Sequence, residues 1–218
     1  MGGRKLEKIK QNPFVKKVGF NRIVLCCVLL LMYGLFCALT GGSFAGMNRI
    51  MSALNYAYFL GFLSLGVTFV IATGEIDFSI GPVMFCCALI SGYTLTTHGI
   101  SMPVAILISI LVGFAFGLFN GYLVAYWSVP SFITSMASMN IAKGLASVYT
   151  KTQSVSWPQA ADPDNGWFRN LVRYNGFPVG LVILLVAAVI CAIILNKTRI
   201  GRYILCLGSN KEAVRLSG

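Results

Sequence analysis

Six stretches of the chain are almost continuously apolar: residues 23–39, 52–72, 80–95, 103–126, 130–149 and 177–195. None shows the apolar/polar alternation of a half-buried strand, and most are too long for the core of a water-soluble domain. Runs of this length match the hydrocarbon layer of a bilayer, about 30 Å thick against about 1.5 Å of rise per helical residue. The pattern predicts an all-α, polytopic membrane bundle of about six transmembrane helices. It divides the chain into a basic tail over 1–22, a transmembrane domain over 23–195 with a long connection at 150–176, and a polar closing segment over 196–218.

Charge then orients the helices. Arg4, Lys5, Lys8, Lys10, Lys16, Lys17 and Arg22 precede the first apolar run, and Lys197, Arg199, Arg202, Lys211 and Arg215 follow the last. A formal net charge of +11 invites a nucleic-acid reading. Cations gathered at the flanks of apolar runs instead follow the positive-inside pattern, which argues against nucleic acid and puts both ends in the cytoplasm beside anionic lipids. Six passes return the chain to its starting side and leave the 150–176 connection outside, where Trp157, Trp167 and Tyr174 suit the headgroup zone. The basic tail is long for a signal peptide and no small-x-small cleavage site soon follows the first run, which reads as a retained anchor.

Composition excludes several chemistries. The seven cysteines lie mostly inside apolar runs with no CxxC spacing, so they read as small apolar packing rather than a disulfide framework or metal site. No nucleophile elbow, metal-ligand cluster or GxxxxGK[ST] phosphate loop occurs. The chain is not expected to act as an enzyme, to hold a cofactor or to hydrolyse ATP.

Polar residues inside the apolar pattern mark the candidate site. Thr73 to Pro82 carries Glu75 and Asp77, two of the six acids, between two apolar runs. The run that follows, 80–95, spans only about 24 Å as a helix, so the acidic turn is expected to dip toward the bilayer as a broken or re-entrant segment. Two readings stand. The acids and Ser79 cap the next helix at the cytoplasmic surface, or they line a transport route, as broken helices do. Ser131, Thr134, Ser135, Ser138 and Ala142 recur at helical spacing and give the fifth run a hydroxyl-rich face, which lines a polar route or bonds its own backbone. Asn55, Asn120 and Asn140 are costly in lipid and are expected to face protein. Gly113, Gly117 and Gly121, four residues apart, predict a seam for close helix packing.

Three segments resemble one family, the membrane-spanning permeases of bacterial ABC importers of ribose, xylose and arabinose. They are Gly74-Glu75-Ile76-Asp77-Phe78-Ser79-Ile80-Gly81; Asn120-Gly121-Tyr122-Leu123-Val124-Ala125 with Val129-Pro130-Ser131-Phe132-Ile133-Thr134; and Thr198-Arg199-Ile200-Gly201-Arg202-Tyr203 running through Gly208 to Gly218. The resemblance covers the chain from about Met47 onward. It implies a sugar importer with two permease subunits, two cytoplasmic ATPase subunits and an extracytoplasmic sugar-binding protein. The polar residues expected to line the substrate pathway are Glu75, Asp77, Ser79, Asn120, Ser131, Thr134, Ser135 and Ser138. The resemblance also implies a role for the closing segment. It assigns contact with the ATPase to Gly208, Asn210, Glu212, Ala213, Arg215, Leu216, Ser217 and Gly218. Members of the family continue into further helices, so these 218 residues are expected to be the first part of a permease, with a non-transporting scaffold or remnant as the alternative.

Overall fold

The structure, a computed structural model, describes residues 20–172 and 177–216, all of it helix and connecting turns apart from an isolated bridge residue at Phe177. In chain order the helices are α1 (Phe20–Leu39), α2 (Met47–Ala72), α3 (Ile80–His98), α4 (Met102–Ala125), α5 (Ser131–Tyr149), α6 (Trp167–Val172), α7 (Val179–Lys197), α8 (Arg199–Ser209) and α9 (Lys211–Leu216). The chain forms two compact units, Met1–Ala53 and Leu54–Gly218. In the first, Gly41 and Gly42 take positive φ after α1, and Phe44 returns against Tyr33 and Phe36 with ring centroids 5.7 and 5.4 Å apart.

The six predicted runs each become a long helix, and among the described residues α2, α3, α4 and α7 are four candidate membrane spans on length and composition, fewer than the six expected. In α5 the hydroxyls, Asn140 and Lys143 dilute the apolar character. A protein surface, rather than lipid, accommodates such a helix.

In the second unit α3 is the axis, flanked by α4 and α5. Cys86 and Ile90 of α3 meet Ala142 and Ala146 of α5 in one buried cluster, closed by Val112 and Phe116 of α4. Leu95, Met102 and Ala105 form a second, against which Trp157 and Phe168 pack. Small residues on α5 permit this close approach, since dispersion between helices replaces the hydrophobic drive that lipid does not supply. Trp157 is half-buried and stacks on Phe168 at 5.9 Å. The outward faces of α4 and α7 are lined with exposed Leu, Ile, Val and Phe, as a lipid-facing surface requires.

Two expectations for the acidic segment change. The break expected over 73–82 is confined to 73–79, because α3 begins at Ile80 with Pro82 in its first turn, where a missing N–H costs nothing. The helix also runs past the apolar edge at Leu95 to His98, ending on Gly99 with φ 62°, so its 19 residues rise about 28 Å and nearly match the bilayer. The short third run is thus not short as a helix.

At the other end of the unit, Thr198 accepts a hydrogen bond from Gly201 N at 3.1 Å and caps α8. Gly208, near the end of α8, lies against the backbone of Ala72 and Gly74 so closely that a β-carbon there would collide with the Ala72 carbonyl. Gly208→Ala is expected to destabilise the protein by about 1–3 kcal/mol through this overlap; an unchanged thermal unfolding midpoint in detergent would show that the contact is loose.

Candidate functional site

The residues that join the acidic turn to the helices are the polar ones. Asp77 Oδ1 accepts from Ser79 N at 2.7 Å and from Ser79 Oγ at 2.6 Å. Ser79 occupies the N-cap position of α3, but its hydroxyl turns to Asp77 and no side chain caps the helix, so the simple capping reading is not what the turn does. Asn120 Nδ2, on α4, donates to Ser79 Oγ at 3.1 Å, and Ser138 Oγ, on α5, donates to Asn120 Oδ1. Ser79 is 2% exposed and Ser138 fully buried, so each hydroxyl depends on this relay for the partners water would otherwise supply. Four residues on two helices and a turn thus form one hydrogen-bonded chain.

Glu75 forms a second junction. Ser131 at the start of α5 donates to its carboxylate and accepts from Ile76 N at 3.3 Å, and Lys211 at the start of α9 forms an ion pair with it. Hydrogen bonds from Lys211 and then Ser131 hold the Glu75 carboxyl below the usual carboxylate range, against the opposing effect of its partial burial. Together with the Gly74–Gly208 approach, this pair fastens the closing segment to the turn.

Two cavities meet at the relay. One, of about 350 Å³, is lined by Thr73, Glu75, Ile76, Asn120, Ser131 and Ser135, with Ile204 of α8 at its edge. The other, of about 480 Å³, runs between α3 and α4 from Ser79 past Cys87 and Ser109 to Trp157. Asp77, Gly117 and Asn120 line both.

Of the pathway residues expected from sequence, Glu75, Asp77, Ser79, Asn120, Ser131 and Ser135 line these cavities, and Ser138 reaches them through Asn120. Thr134 is buried and donates to Pro130 O, leaving it in packing. Of the glycine seam, Gly113 lies against α3, where a β-carbon would sit 3.5 Å from Cys87 Sγ, whereas a β-carbon on Gly117 or Gly121 would meet nothing within 4 Å among the described residues. Gly117 and Gly121 open onto the first cavity instead. Asn140, expected to face protein, is exposed and bonds Met136 O of its own helix.

In the closing segment Asn210 Oδ1 accepts from Ala213 N at 3.1 Å and caps α9, and Glu212 pairs with Arg215 at 3.8 Å on an open surface. Gly208, Asn210, Glu212, Ala213, Arg215 and Leu216 are all exposed, while Ser217 and Gly218 lie outside the described residues, as do the basic residues before Phe20. Sequence reading missed Lys211, counting it only among the flanking cations. Its partner lies 136 residues away, and no periodicity connects two such positions.

A membrane bundle with a polar, cavity-lining junction at a broken segment is a transport architecture. A family described as the permease component of branched-chain amino acid transport systems matches residues 49–218. The chain belongs to this family. Curated relatives include a fructose import permease protein of Bifidobacterium longum, 29% identical over 97% of this chain and 62% of its own length. A galactofuranose transporter permease protein of Escherichia coli is 32% identical over 76% of this chain and 47% of its own, and a ribose import permease protein of the same species is 31% identical over 81% and 54%. The chain therefore spans roughly half to three-fifths of the relatives it matches. These relatives support the likeness to monosaccharide permeases carried by the three sequence segments. No solved structure matches the chain.

The lowered Glu75 pKa has a pH consequence. A carboxyl whose pKa falls on folding adds stability that is fully present above its unfolded value and lost as pH drops through the folded one. Lys211→Met is expected to shrink the loss of thermal stability in detergent between about pH 7 and about pH 3, because Glu75 then titrates closer to its unfolded value. An acid dependence identical to that of the unsubstituted protein would place the pair outside the folded-state energetics.

Proposed function

We propose that the chain forms part of the translocation pathway of an ATP-driven importer of a monosaccharide or similar small polyol, in the inner membrane with both ends cytoplasmic. The observation that carries this reading is the pair of cavities meeting at Asp77, Asn120 and Gly117, whose carboxylate, amide and nearby hydroxyls suit a neutral, hydroxyl-rich solute. The sugars named for the relatives agree with it.

The transport step falls to this subunit and ATP hydrolysis to a separate one. A second permease subunit would complete the pathway, an extracytoplasmic binding protein would deliver the sugar, and an ATPase would dock on α8 and α9. The exposed Glu212–Arg215 pair and Leu216, 86% exposed, give α9 a mixed charged and apolar surface suited to a protein partner. Displacement of α9 by that partner would pull on Lys211 and through it on Glu75 and the cavity wall. The cations flanking the bundle support a sidedness in which the Trp157 end of the second cavity faces outside.

The test is uptake of labelled D-fructose and D-ribose in cells that also express the binding-protein and ATPase subunits. Gly117→Leu puts a side chain into open space on a helix that Leu favours over Gly by about 1 kcal/mol, so the protein folds while the cavity is obstructed. Uptake with the unsubstituted chain and its loss in Gly117→Leu at equal membrane abundance are expected. Undiminished uptake in the variant would remove the cavities from the pathway, and no uptake of either sugar by the unsubstituted assembly would contradict the substrate class.

A further inference from the structure

We propose that the Ser138–Asn120–Ser79–Asp77 relay is a closed constriction between the two cavities, and that hydroxyl-bearing cargo crosses it by taking over the relay's own hydrogen bonds. The inference rests on the transport reading and adds to it the place and chemistry of the barrier.

The geometry supports a barrier because the cavities are separate yet share Asp77, Asn120 and Gly117 in their walls. Asn120 sits between them with both ends of its amide engaged: Nδ2 on Ser79 Oγ at 3.1 Å, Oδ1 on the Ser138 hydroxyl. Ser79 in turn spends its proton on Asp77. Two of the three links tie different elements together, α5 to α4 and α4 to the turn, so opening a path between the helices means breaking the chain at one of them.

The chemistry supports exchange with a polyol rather than with an ion or an apolar solute. A hydroxyl donates one hydrogen bond and accepts up to two, as the serines do, so a sugar can replace Ser79 or Ser138 at Asn120 and Ser79 at Asp77 without leaving an amide or carboxylate unpaired. An apolar solute would leave those groups unpaired in a poorly hydrated site, the costliest arrangement a buried polar group has. Gly117 leaves room beside Asn120, since a β-carbon there would meet nothing within 4 Å.

The test places a thiol beyond the constriction with Val124→Cys, in the wall of the first cavity. A membrane-impermeant methanethiosulfonate is applied from outside to right-side-out vesicles holding the full chain, and modification at position 124 is read by mass spectrometry. With the relay intact the reaction is expected to be slow. Ser138→Ala should speed it about five- to tenfold, the population shift of one lost hydrogen bond, and Asn120→Ala, which loses two, should speed it more. Gly117→Leu added to Asn120→Ala should slow it again. Ser138→Ala, the smaller change, serves if Asn120→Ala fails to reach the membrane. A fast reaction with the relay intact, or equal rates with and without it, overturns the constriction.

Uptake of labelled D-fructose or D-ribose by the complete importer separates exchange from passive blocking. Exchange predicts that Asn120→Ala raises reagent access while lowering sugar uptake. Raised access with unchanged uptake overturns the hydroxyl exchange. If the thiol results hold but the unsubstituted importer takes up neither sugar, the transport reading and the exchange fall together while the constriction stands.

Discussion

An amide in the C-terminal part of an apolar helix has to be satisfied by protein, and much of the second unit is arranged around that requirement at Asn120. The residue lies on α4 among Leu, Ile, Val and Phe, where lipid offers it nothing. Its two partners come from different elements, Ser79 at the head of α3 and Ser138 in the middle of α5. Each bond contributes about 0.5–1.5 kcal/mol net, but leaving a buried hydroxyl without its partner costs about 1–3 kcal/mol, so the arrangement is held by the penalty of breaking it as much as by the bonds themselves. The same bonds fix where the acidic turn begins to be helical, since Ser79 is both a relay member and the residue preceding α3.

The turn carries this constraint in the opposite direction through Glu75. One carboxylate is shared by Ser131, at the entrance to α5, and Lys211, at the start of α9. Lys211 is 62% exposed and an isolated pair of this kind contributes little to stability. Its weight comes from position: the ion pair, the Gly74–Gly208 backbone approach and the cavity wall all lie within a few residues of one another. The closing segment is thereby attached to the residues that line the cavity.

Helix existence and order were legible because long apolar runs have few alternatives, and the acidic turn stood out because two carboxylates interrupt them. The residue types of the site were legible for the same reason: Asn120 and Ser138 are polar where lipid would penalise them. Their pairings were not, since the relay joins residues 18 and 41 positions apart through side chains on different helices. The glycine stripe shows the limit most clearly. Small-xxx-small spacing is compatible with a neighbouring helix or with empty space, and only the placement of α3 and α5 decides that Gly117 and Gly121 border a cavity. The length of α3 was misjudged because Thr96, Thr97 and His98 are polar yet helical, their turn ending at a glycine rather than at the last apolar residue.

The central claim, that the closing segment acts on the cavity through Lys211 and Glu75, is tested most directly by a charge-reversal cycle on sugar uptake by the complete importer at equal membrane abundance. Glu75→Lys and Lys211→Glu should each impair uptake, because each sets like charges against one another at the junction, and the double reversal should restore most of it. Uptake untouched by either single reversal, or a double variant as impaired as the singles, would contradict the claim.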